Sequence, residues 1–156
     1  GIQFIDDGIS PTANVVQKTV LTTLTAAEIV GSTAGTLGHA NGVVLAAPVS
    51  TDYAYEFVSA VLIYDYLTAA YTGGGDDATI RVGSVDHTVT LTDVNFVLGA
   101  GDKVYAVSAN NGANGELSLP VNSSINLKTD TAFTNPGTAA GSLRVYTTYR
   151  IYTTEL

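Results

Sequence analysis

The sequence predicts an all-β fold, an antiparallel β-sandwich or barrel with one short helical turn, and three observations lead there. Short runs rich in Thr and Val recur at roughly eight to twelve residue spacing, with Gly, Asn, Asp and Pro between them. Apolar side chains alternate with period two in the best of these runs, and no long stretch holds the period of a helix. Charged residues make up 13% of the 156, about half the usual share, while the hydrophobic fraction of 46% is ordinary. Disorder requires the opposite balance, so the chain is expected to fold, and as one domain of common size.

Residues 1–16, GIQFIDDGISPTANVV, carry turn chemistry at Asp6-Asp7-Gly8 and Ser10-Pro11 and no sustained period. They read as an extended N-terminal arm, with residues 17–156 as the single domain. Ile2, Phe4, Ile5 and Ile9 make the arm too apolar for a solvated tail, so it is expected to lie on its own domain or on a neighbour. Residues 17–24 read as a strand. Thr25 and Glu28 then stand at capping-box spacing, with Gly31 as a C-terminal stop, which predicts one or two helical turns. Gly and Thr recur through residues 32–42, an irregular loop.

Residues 43–47 and 55–66 are the strongest early strands. Strict alternation in the second puts Phe57, Ser59, Val61, Ile63 and Asp65 on one face and Val58, Ala60, Leu62, Tyr64 and Tyr66 on the other. Both faces are largely apolar, so this strand is expected to be covered twice, either centrally in a sandwich or between subunits of a homo-oligomer. Residues 72–77 form a connection, 78–82, 86–91 and 103–107 short strands, and 110–115 an Asn/Gly turn. Strands at 124–128 and 142–153 close the chain. The last alternates Leu143, Val145, Thr147, Tyr149 and Ile151 against Arg144, Tyr146, Thr148, Arg150 and Tyr152, an apolar face backed by a Tyr/Arg/Thr face.

Six basic residues against 14 acidic ones, a net charge of -8, exclude a nucleic-acid partner, which needs clustered positive charge. The absence of cysteine removes disulfides, thiolate metal sites and a thiol nucleophile. The longest apolar runs, 42–49 and 57–64, are far below the roughly 18 residues of a membrane span, and no basic leader opens the chain, so a soluble protein with no membrane partner is expected. Gly1 fits removal of an initiator methionine, a tag or a propeptide.

Gly99-Ala100-Gly101-Asp102 is half of a dinucleotide fingerprint, but a strand follows where a helix must begin, so it reads as a turn. His39 and His87 have no accompanying HxH, HxxxH or GxSxG pattern and read as spectators. Asp6-Asp7 and Asp76-Asp77 raise a calcium hypothesis without DxDxDG spacing, and acidic turns are the better reading. No catalytic, cofactor-binding or metal residue is assigned. Nine tyrosines against four phenylalanines suit sandwich edges first, subunit interfaces second and sugar platforms third.

One order of segments goes further: LTAAEIV at 24–30, VVLAAPV at 43–49, LTAAYTGGG at 67–75, NSSINLKT at 122–129 and GSLRVYTTYRIY at 141–152. It resembles a group of small structural proteins from tailed bacteriophages and prophages. In that pattern a helical turn precedes a Pro-containing strand, an AY-T-GG stretch follows a long strand, and N-x-x-I/L-x-L and G-x-L-x-V-x-x-x-Y strands come late. The resemblance covers most residues from Val20 onward but not the arm, and Ala46-Ala47-Pro48 departs from a fuller Pro/Gly turn. It implies a jelly-roll β-sandwich and a head decoration (cement) protein on the capsid surface, assembled in the bacterial host cytoplasm. The partners implied are the major capsid protein and further copies in a homotrimer, with no enzymatic activity and no cofactor. Contacts are expected through Ile2, Phe4, Ile5 and Ile9 of the arm and through Tyr146 and Tyr152. A tail or neck structural protein and a carbohydrate-binding adhesin sandwich are the alternatives.

Overall fold

The computed structural model describes residues 15–73, 77–88, 91–92, 97–110, 115, 117–136 and 140–153. In chain order the elements are β1 (Val15–Leu24), α1 (Ala26–Ile29), β2 (Val43–Ala46), β3 (Tyr53–Asp65), β4 (Thr72–Gly73), β5 (Asp77–Val82), β6 (Val85–Asp86), β7 (Leu91–Thr92), β8 (Lys103–Ser108), β9 (Ile125–Thr129), β10 (Phe133–Thr134) and β11 (Ser142–Thr153). One sheet has the order β1-β11-β3-β8 and a second the order β2-β9-β5-β6, with β7 also on β5 and β4 paired to β10 apart from both. All these ladders are antiparallel.

The pairings nest. β1 pairs with β11, β2 with β9, β3 with β8 and β5 with β6, so the chain is a long folded ribbon whose successive rungs alternate between the two sheets. The β11–β3 and β9–β5 ladders then knit the rungs of each sheet together. That is the jelly-roll way of closing a β-sandwich. Leu24, Phe57, Leu62, Tyr64, Leu143 and Val145 of the first sheet bury against Val43, Leu45, Ile80, Ile125 and Leu127 of the second.

Several elements follow from their residues as expected. β11 keeps its alternation, with Leu143, Val145, Thr147 and Tyr149 buried and Arg144, Tyr146, Thr148 and Arg150 half-buried on the outer face. The capping box is present at α1: the Glu28 carboxylate accepts from the Thr25 N–H at 2.7 Å, and the Thr25 hydroxyl donates to the same oxygen at 3.0 Å. Gly31 leaves the helix at φ 89, a conformation that favours glycine.

β3 corrects the expectation drawn from strict alternation. Its register against β11 slips between Thr148 and Tyr149, because Ser59 and Phe57 are partnered and Val58 is not. The Val58 carbonyl instead accepts from the Ala109 N–H at 2.9 Å. This bulge switches the inward parity, so the core face is Tyr55 and Phe57 below it and Ala60, Leu62 and Tyr64 above it. β3 is central in its sheet, but among the described residues only one of its faces is covered; Val61 remains 37% exposed on the other.

The strand expected over 86–91 is also corrected. β6 stops at Asp86, and the Thr88 hydroxyl takes the Ile80 N–H at 2.9 Å, a side chain ending the ladder where backbone would have continued it. β1 begins at Val15, two residues before the expected strand, which draws Val15 and Val16 from the assigned arm into the sheet. The rest of that arm lies outside the described residues.

Candidate interaction surface

The register of the first sheet assembles its outer face row by row. Leu21, Tyr146, Val61 and Ala106 stand opposite one another across β1, β11, β3 and β8. Thr23, Arg144, Ile63 and Val104 form the next row, and Thr19, Thr148, Ser59 and Ser108 the row on the other side. Directly opposed side chains on one face lie about 5 Å apart, so the first row is a continuous apolar strip roughly 15 Å long. Leu21 is 51% exposed and Val104 67%. A single exposed apolar residue needs no explanation; here the register sets apolar side chains edge to edge across every strand of the sheet.

The charges on this face are matched within it. Arg144 meets Asp65 at 3.2 Å, and Arg150 meets Glu56 at 3.1 Å. The Thr19 and Thr148 hydroxyls bond at 2.8 Å, and Arg150 Nε donates to Gln17 Oε1 at 3.2 Å. Little of the net charge of -8 is therefore carried here, and another acidic surface can approach the strip without strong repulsion.

Tyr146 and Tyr152, the two described residues expected at an interface, share this face but sit differently. Tyr146 lies within the apolar row. Tyr152 lies at its far end, where its hydroxyl donates to Glu56 Oε2 at 2.7 Å, and that bond holds the phenol proton and raises its pKa. Ile2, Phe4, Ile5 and Ile9 lie outside the described residues. Tyr149 turns inward and packs edge-on against Tyr55 at 5.0 Å between ring centroids. Leu21, Val104 and Ala106 were not singled out from the sequence, and Val61 only as part of a strand face expected to be covered; the odd-numbered alternation of β1 was the signal for Leu21, and only the register joins it to the others.

The segments that carried the resemblance do structural work. The Tyr71 hydroxyl of LTAAYTGGG donates to the carbonyl of Gly141, which opens GSLRVYTTYRIY, at 2.5 Å. Asn122, first residue of NSSINLKT, takes φ 49 and donates its N–H to the Tyr53 carbonyl at 3.0 Å, a left-handed turn that asparagine tolerates better than most. Ile125 and Leu127 of the same motif are fully buried.

Neither histidine gathers partners for chemistry. His39 Nδ1 accepts from the Asn41 N–H at 3.2 Å, and His87 is buried, its Nε2 without a hydrogen-bond partner among the described residues. Gly101 and Asp102 form a turn leading into β8, with Asp102 Oδ1 accepting from the Tyr66 N–H at 3.0 Å. Among the described residues no three His, Asp or Glu side chains gather as a metal site. Asp6, Asp7 and Asp76 lie outside the described residues, and of Asp77 only its backbone place in β5 is described. No helix among the described residues is long and apolar enough to cross a membrane.

No protein-family model matches the chain, and no curated protein sequence matches it. It is similar to a chain of a solved structure titled "Cyanophage Pam1 capsid asymmetric unit", with 19% identity and a TM-score of 0.42 over 96% of this chain and 93% of that one.

Proposed function

We propose that this chain is a bacteriophage capsid decoration (cement) protein, a non-enzymatic component of the virion that mounts on the outer capsid lattice and stabilises the head. The observation that carries the reading is the exposed apolar row Leu21, Tyr146, Val61 and Ala106 on a face whose arginines are already paired with acids. A jelly-roll with such a face has rigid, charge-balanced area to offer a neighbour. Its motif residues are committed to holding the sandwich together, as Tyr71 and Asn122 illustrate. The major capsid protein is the partner in this reading, with further copies of the chain around a local threefold.

Mechanically, each mounted copy buries apolar surface across a joint between capsid subunits, and repetition over the lattice multiplies a modest contact into substantial reinforcement. The apolar arm residues Ile2, Phe4, Ile5 and Ile9 are the second contact of the proposal. The test is co-sedimentation with phage heads stripped of surface proteins. The full chain saturates the heads and raises their disruption temperature, and a shortened chain beginning at Val15 binds more weakly. A chain that stays in the supernatant at every concentration overturns the proposal.

A further inference from the structure

On the second sheet, Val44, Asn126 and Arg81 stand opposite one another across β2, β9 and β5, all on the outward face. This row floors an open cleft of about 410 Å3 whose walls include Pro48, Asn122 and Ser123. That volume lies in the range of small-molecule sites. The wall is fixed in place: the Asn122 N–H is bound to the Tyr53 carbonyl at 3.0 Å, and the Ser123 hydroxyl donates to the Val121 carbonyl at 3.2 Å.

The chemistry of the floor selects a ligand. Arg81 Nη2 donates to the Ser84 carbonyl at 2.6 Å, and its Nε lies 2.8 Å from Asp86 Oδ1 as an ion pair without hydrogen-bond alignment, so the guanidinium is already charge-balanced within the chain. Asn126 is only 6% exposed, and its Oδ1 has no hydrogen-bond partner among the described residues. A buried acceptor left unpaired is unfavourable, and a ligand that supplies an N–H relieves it. The terminal amide torsion is broad, so a turn of the Asn126 side chain presents that oxygen to the cleft. Directly beside it on the same face, Val44 is 50% exposed, and Pro48 is exposed above. An N–H donor with a methyl group next to it and hydroxyls beyond is the outline of an acetamido sugar.

We propose that this cleft binds a glycan through an N-acetylhexosamine residue. The acetamido N–H bonds Asn126 Oδ1, the acetyl methyl rests on Val44 and Pro48, and ring hydroxyls reach Asn122 and Ser123. The cleft and the Leu21–Tyr146 strip are on opposite outer faces of the sandwich, so a copy mounted by the strip keeps the cleft turned outward. Glycan binding is thus a second activity, independent of capsid mounting.

The test is an NMR titration of the full chain, labelled with 15N, using N,N'-diacetylchitobiose and, as the matched sugar without acetamido groups, cellobiose. Diacetylchitobiose is expected to give saturable shifts confined to amides of residues 41–48, 81–84 and 122–126, with a Kd of roughly 1 mM. Cellobiose is expected to bind at least about tenfold more weakly. Asn126→Leu abolishes the shifts, and Val44→Ser, at an exposed position where folding is not at stake, weakens them several-fold. No saturable shift, equal binding of cellobiose, or unchanged affinity in Val44→Ser overturns the inference. Each of those outcomes leaves the co-sedimentation result with phage heads standing.

Discussion

Glu56 and Arg150 face each other across β3 and β11, and the arginine Nη1 donates to both carboxylate oxygens, at 3.3 and 3.1 Å. The same carboxylate accepts from the Tyr152 hydroxyl, and Arg150 also reaches Gln17 on β1, so one acid ties together three strands of the first sheet. Because the bond to Glu56 is the main cause of the raised Tyr152 pKa, Glu56→Gln is expected to bring that ionisation down toward the ordinary value of 10.0. Ultraviolet titration of the tyrosinate band checks this against Tyr152→Phe as the reference. An unmoved Tyr152 titration would mean that the bond does not persist in solution.

The Tyr71–Gly141 contact sets a second expectation. A Cβ at Gly141 would overlap the Asp65 carbonyl oxygen and come within 2.8 Å of Tyr64 Cε2. Backbone cannot step aside as a flexible side chain can, so Gly141→Ala is expected to lose about 3 kcal/mol or more in urea denaturation.

Burial pushes the Tyr71 phenol up to about 12. A raised folded-state pKa favours the neutral form in the fold, so its contribution to stability is whole below pH 10.0 and is lost as pH rises toward 12. Tyr55, Tyr64 and Tyr149 are shifted the same way by burial. Tyr71→Phe is therefore expected to reduce the alkaline loss of stability without removing it, as read by melting temperature against pH.

His87 governs the acid side. Burial lowers its pKa from 6.5, against weaker opposing effects of the Asp86 and Glu56 carboxylates. The unfolded chain then takes up a proton at a pH where the folded chain does not, so stability is full above 6.5 and falls as pH drops through the interval down to the folded-state pKa. His87→Leu should flatten that part of the profile while the response of the carboxylates at lower pH persists. An identical slope in the variant would show that His87 is solvated.

The outer-face strip makes a prediction that separates binding from folding. Leu21→Asp and Val61→Asp place charge at positions already open to solvent, so each is expected to change stability by about 1 kcal/mol or less while lowering occupancy on phage heads at least about tenfold. Lys18→Ala, exposed on β1 away from the strip, serves as the control with full occupancy.

Much of this was legible from the chain. The β11 alternation needed nothing beyond period two, and Thr25, Glu28 and Gly31 announced α1 through short-range chemistry. β3 was not legible, since a bulge depends on what its neighbours offer: Val58 is apolar and β-branched like any strand residue, and that it has no partner on β11 appears only once the ladder is formed. The strip was half visible for the same reason. Tyr146 stood out on the polar face of its own strand, whereas Leu21, Val61 and Ala106 become its neighbours through partners up to 125 positions apart in sequence. Asn126 looked like an ordinary strand residue until β2 and β5 flanked it.

The most direct test of the central proposal is a cryo-EM reconstruction of phage heads bearing this chain. Density for the jelly-roll is expected outside the shell at joints between capsid subunits, with Leu21, Tyr146 and Val61 turned toward the shell and Asn126 turned away. Bare joints, or density in which that strip faces open solvent, would contradict it.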